Sequence, residues 1–138
     1  MRAVDVDGKY RHMVTDRPMT RLEIFQFPYN ADNYGVLIHC KDSGATACID
    51  AGDAAATNAA LAETGWSLTH IFITHHHADH TAGLASLKAA HNAHVTGPPP
   101  RSTPISGIDN ALWDGDSFDF ANRQICVIAT PGHTTDMI

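Results

Sequence analysis

The chain has 138 residues and a formal net charge of −6 at neutral pH, with nine Lys and Arg against fifteen Asp and Glu. Apolar residues make up 43% and charged residues 17%, a globular composition rather than a disordered one. Such an acidic chain lacks the basic footprint of nucleic-acid binding or of docking on anionic lipid. No apolar run approaches the roughly 20 residues that cross a bilayer as a helix.

Residues 1–18 (MRAVDVDGKYRHMVTDRP) have no clean period and no apolar stretch of the kind a secretion signal carries. They read as a leader or appended segment, with residues 19–138 as the structured part. Leu22, Ile24, Phe25 and Phe27 then mark a first strand. Tyr34 to Cys40 reads as a second, the KDSGA segment as a turn, and Thr46 to Asp50 as the returning strand of a hairpin. Asp53 is placed to N-cap an Ala-rich helix that stops at Gly65. Thr69 to Ile73 is a short strand. Thr81 to Asn92 follows as a helix, with Leu84, Leu87 and His91 on one stripe.

Val95 marks a further strand, ended by Gly97-Pro98-Pro99-Pro100. A turn at Asp114-Gly115-Asp116 precedes a second hairpin, Phe118 to Phe120 with Arg123 to Ala129. This order predicts an α/β fold with a mixed sheet flanked by helices. Cys40, Cys48 and Cys126 form no CxxC pair, and their odd number gives no disulfide framework. All three read as reduced, buried residues of a cytoplasmic protein.

Ten histidines exceed Lys and Arg combined. Four lie in Thr74-His75-His76-His77-Ala78-Asp79-His80, between the strand ending at Ile73 and the helix that follows. Imidazole nitrogen and carboxylate oxygen are the donors that suit Zn²⁺ and similar divalent ions. His75 and His77, two apart on extended backbone, face the same way. Asp79 and His80 come where the chain turns, so they aim at a second, neighbouring point. Four donors within six residues fit two adjacent metal positions better than one tetrahedral ion.

The string THHHADH resembles the HxHxDH signature of the metallo-β-lactamase superfamily. Asn33-Tyr34 in NADNYGVLIHC resembles the DNY segment of the glyoxalase II (hydroxyacylglutathione hydrolase) family. Ile49-Asp50-Ala51-Gly52, GWSLTHIFITHHHADHTAG, Gly107-Ile108-Asp109, DGDSF and TPGHT continue the likeness from about Leu22 to Ile138. The resemblance implies the N-terminal half of an αβ/βα sandwich. It implies that His75, His77 and His133 hold a first metal ion and Asp79 and His80 a second. Asp79 is then both ligand and catalytic residue, and Asp50 orients a ligand imidazole from behind. His76 points away, and His12, His39, His70, His91 and His94 are structural or surface residues.

In that family a hydroxide held by two zinc ions attacks a thioester carbonyl, converting S-lactoylglutathione to D-lactate and glutathione. Iron or manganese can take the place of zinc. No serine nucleophile is needed, and the sequence offers no GxSxG elbow. The family pattern continues past TPGHT with a bridging Asp, a further His and the glutathione-gripping residues. The second metal position is therefore expected to be incomplete, and the activity of this chain impaired. Asp136 is too near His133 to replace the bridging Asp, and Asp114 and Asp116 read as turn residues. The partner implied is a small glutathione thioester, with neither nucleic acid nor membrane, and half a sandwich implies a homo-oligomer that covers the exposed sheet face. Two other readings stay open: another enzyme of the same fold (persulfide dioxygenase-like or a lactonase), and a non-catalytic, metal-binding, self-associating fragment.

Overall fold

The structure is a computed structural model that describes residues 3–4, 10–11, 21–101 and 103–138. The reading of residues 1–18 as a leader thus lies outside the described residues, apart from a backbone pairing of Ala3–Val4 (β1) with Tyr10–Arg11 (β2). The chain continues with β3 (Leu22–Tyr29), β4 (Asn33–Cys40), β5 (Thr46–Ile49), α1 (Ala54–Thr64) and β6 (His70–Phe72). Next come α2 (Ala78–Thr81), α3 (Leu84–His91), β7 (His94–Gly97), β8 (Asn110–Ala111), β9 (Ser117–Phe120) and β10 (Arg123–Cys126).

Six strands form one sheet in the order β3-β4-β5-β6-β7-β8. The pairs β3/β4 and β4/β5 are antiparallel, and the rest are parallel. This is the mixed sheet expected from the order of elements. Two of the three parallel pairs are joined by helical crossovers, β5 to β6 by α1 and β6 to β7 by the α2–α3 pair. β3 runs on through Pro28 to Tyr29 because it lies at the sheet edge, where a missing N–H is tolerated.

The hairpin and α1 follow their local signals. Asp53 Oδ1 accepts the Ala56 N–H at 2.9 Å. Gly65 closes the helix at φ 72°, its N–H donating to Leu61 O. The second helix differs from expectation. It begins at Ala78 and is interrupted before Leu84. At Gly83 the loop after β5 passes so close that a Cβ would meet Ala54 N at 2.6 Å, and the Gly83 N–H donates to Ala51 O. That tertiary contact overrides the helical pattern.

On one face of the sheet Leu61, Leu84 and Leu87 pack over Leu37, Cys48, Ile71 and Val95. The opposite face carries the separate β9–β10 ribbon. Phe72 stands edge-on to Phe118 at 5.1 Å and to Phe120 at 5.3 Å between ring centroids. β10 ends at Cys126 rather than Ala129. Cys126 is exposed, a correction to its reading as a core residue, because it alternates outward on this ribbon. Cys40 and Cys48 are buried and free. Burial pushes the Cys48 thiol up to about 12, so it stays protonated.

Candidate metal centre

The ends of parallel β5 and β6 lie side by side, the position where open α/β sheets place ligands. Asp50 follows β5 and Thr74–His77 follow β6. Asp50 adopts φ 61°, a left-handed conformation that Asp tolerates better than most residues. Its N–H donates to Phe72 O at 2.7 Å, which locks the bend.

The Asp50 carboxylate organises residues 74–80. Oδ1 accepts the Thr74 N–H at 2.7 Å. Oδ2 accepts the Thr74 hydroxyl at 2.9 Å and His80 Nδ1 at 2.7 Å. Having given its proton to Asp50, the Thr74 hydroxyl accepts from His75 Nδ1 at 2.8 Å. This chain of donors places the His75 proton on Nδ1 and leaves its Nε2 with a lone pair. His75 is 2% exposed, and its Nε2 is buried without a hydrogen-bond partner. Burial, with His80 adding to it, pushes the His75 pKa below its ordinary value, so the ring is the neutral, ligating form.

His77 and His133 face that orphaned atom. One nitrogen from each of His75, His77 and His133 lies within 4.8 Å of the others. Ring centroids are 4.9 Å apart for His75 and His77, and 4.7 Å for His77 and His133. A buried imidazole nitrogen with nothing to bond, facing two further imidazoles, fits a divalent ion of the zinc class.

Asp79 and His80 open α2 beside this group without joining it. The His80 ring is 4.3 Å from that of His75, and its Nε2 is 3.4 Å from Asp79 Oδ2. Asn33 Nδ2 donates to Asp79 Oδ2 at 3.0 Å. That bond, ahead of the charges of His80 and His77, holds the Asp79 carboxyl below its usual range. Tyr29 hydroxyl donates to the Asp79 carbonyl at 2.8 Å. Burial, helped by Asp50, raises the Tyr29 pKa and keeps it a donor. A Cβ at Gly52 would collide with the Asp79 carbonyl oxygen and the Tyr29 ring, so only glycine lets the two segments meet.

His76 stays outside the three-imidazole group although its ring packs edge-on to that of His77 at 5.0 Å between centroids, and its Nδ1 meets Asp136 at 2.9 and 3.0 Å from the two carboxylate oxygens. Asp136 thus lies apart from the three imidazoles. Asp116 Oδ2 accepts the Trp113 N–H within the turn, and Asp114 Oδ1 accepts the N–H of the distant Ala129. His39 stacks on Trp66 at 4.6 Å, His91 meets Asn58 at 2.7 Å, and His70 packs edge-on to Phe120. His94 lies 3.8 Å from Asp109, and His12 is outside the described residues.

Four participants went unassigned in the sequence: Tyr29, Thr74, the role of Asn33, and Asp136. Thr74 and Asn33 sit inside the quoted motifs, so adjacency to His75 and Tyr34 was the available signal. Nothing local marks Asp136.

A sequence profile of the Metallo-beta-lactamase superfamily matches residues 33–138. The chain is 54% identical over 114 residues to the hydroxyacylglutathione hydrolase of Brucella anthropi, covering 83% of this chain and 44% of that protein. It is 49% identical over 117 residues to that of Rhizobium meliloti, covering 85% and 46%. The chain therefore spans less than half the length of these relatives. Among solved structures, ETHE1 from Myxococcus xanthus superimposes with a TM-score of 0.69 at 31% identity, covering 83% of this chain and 51% of that one. A metallo-beta-lactamase from Staphylococcus aureus gives 0.68 at 25% identity, with coverage of 84% and 36%.

Proposed function

The chain belongs to the metallo-beta-lactamase superfamily, and on that premise we propose that it carries the metal-binding part of a hydrolase acting on glutathione thioesters. The observation that carries this reading is the orphaned, buried Nε2 of His75 facing His77 and His133. The curated relatives at 49–54% identity named hydroxyacylglutathione hydrolase supply the substrate class.

His75, His77 and His133 hold one ion, zinc by the chemistry of the donor set, and Asp79 and His80 contribute to a second. A divalent ion bound there acidifies a water molecule and polarises the thioester carbonyl. Asp50 orients the His80 ring directly and, through Thr74, the His75 ring. Asn33 and Tyr29 hold Asp79 with its carboxylate ionised and turned toward His80. S-lactoylglutathione is the substrate proposed, with D-lactate and glutathione as products.

Among the described residues no helix is long and apolar enough to cross a membrane, and a cytoplasmic location is part of this proposal. So is the division into residues 1–18 and a metallo-β-lactamase-like part from residue 19. The apolar groove between Phe72, Phe118, Ile125, Val127 and Ile128 is proposed to be covered by a second copy of the chain.

The test is zinc affinity by chelator competition on the purified chain, beside hydrolysis of S-lactoylglutathione. One zinc held tightly and released at least ~100-fold more readily by His77→Ala is the expected result, with hydrolysis, where present, lost in the same variant. A His77→Ala chain that keeps wild-type affinity overturns the assignment of the ligands.

A further inference from the structure

The third imidazole of the group comes from far along the chain, and something must hold it there. His133 is exposed, as are its neighbours Pro131 and Gly132. Burial of apolar surface around His133 therefore does not fix its place. Two polar links tie residues 130–138 to the loop after β6. Ile138 N–H donates to Thr74 O at 3.1 Å. The Asp136 carboxylate receives His76 Nδ1 at 2.9 and 3.0 Å.

The second link has the stronger physical demand. The Asp136 side chain is 2% exposed and that of His76 24%. A carboxylate so deeply buried must have its partner, because leaving it alone costs the full desolvation of a charge. Within its own loop the Thr134 side chain supports it; across to the other loop its partner is His76, the middle histidine of the THHH run, which stays outside the three-imidazole group. Within the segment, Thr130 N–H donates to Met137 O and Gly132 N–H to Thr134 O, each at 3.0 Å. These bonds make residues 130–137 a closed loop that moves as a unit with Asp136.

We propose that Asp136 is a positioning residue: through His76 it clasps the 130–138 loop onto the 74–77 loop and so delivers His133 to His75 and His77. The alternation of the run then divides its labour. His75 and His77 face the site, and His76, between them, grips the segment that completes it.

The proposal rests on the metal-site reading only for one of its two readouts. The first readout is hydrogen exchange of the metal-free full chain, comparing amides of residues 130–138 with those of β6 and β7. The second is Co²⁺ titration followed by its visible absorption. Asp136→Ala is expected to lose protection in 130–138 while β6 and β7 keep theirs. It should also weaken Co²⁺ binding by about 10- to 100-fold, because the competent arrangement becomes a minor population. Asp136→Asn, whose amide oxygen still accepts from His76, should recover most of the affinity.

Protection and Co²⁺ affinity both within about twofold of wild type in Asp136→Ala overturn the clasp. If wild type binds no Co²⁺, the metal-site reading fails while the exchange data still decide the clasp. If Asp136→Ala also loses β6 protection, His76→Ala is the deciding variant. It removes the grip from the more exposed partner, and unchanged protection of 130–138 there overturns the proposal.

Discussion

Asp50 shows how one carboxylate can set the chemistry of two imidazoles. It receives His80 directly and His75 through the Thr74 hydroxyl, so it orients both rings and leaves the His75 Nε2 unprotonated. Thr74→Val keeps the shape of the side chain but deletes the relay. It should weaken zinc binding by about 10- to 100-fold, the usual cost of losing support behind a ligand, as read by chelator competition. His75, His77 and His133 were legible as a set from their motifs, and the structure brings them within 4.8 Å. Thr74 was not, because a hydroxyl beside a histidine has no pattern of its own. Its importance follows only from where Asp50 sits.

At the scale of elements, caps and turns were legible and the breaks imposed by neighbours were not. Asp53 and Gly65 bound α1 through bonds made within four residues, which sequence order already contains. Asp53→Ala should therefore cost about 1 kcal/mol of stability, measured by urea unfolding. The division between α2 and α3 comes from the Ala51–Ala54 backbone, about thirty positions away, and no helical period can announce it.

β8 escaped notice for a related reason. It is two residues long and depends on Asp109, whose Oδ2 accepts the Val95 N–H at 2.9 Å. Lys88 Nζ donates to Asp109 Oδ1 at 2.6 Å, and this bond, ahead of the Val95 amide, holds the carboxyl below its ordinary range. A depressed native pKa gives stability that is present above the unfolded carboxylate value and lost as the pH falls through the native one. Asp109→Asn should accordingly unfold at a lower urea midpoint than wild type near neutral pH. The gap should shrink below about pH 4.

The whole molecule has two unlike faces. One is covered by α1 and α3. Among the described residues, the other carries only the β9–β10 ribbon, beside which Ile128 is 68% exposed. Light scattering of the purified chain is expected to give a dimer. Ile128→Glu is expected to shift it toward monomer without loss of secondary structure, since the charge falls where nothing among the described residues covers it. A mixed α/β sheet with helical crossovers could be read from the order of elements, because each element announced itself locally. Which sheet face stays open could not, since that depends on how far the ribbon reaches.

The loop that carries His133 also gives the centre a history. A nascent chain presents His75 and His77 long before residue 133 exists, by about three to ten seconds at ordinary rates of synthesis. On the proposed ligand set, the two early imidazoles would hold an ion only weakly during that interval. Metal choice would then be partly a matter of timing, with an early guest leaving easily until the 130–138 loop adds the third imidazole.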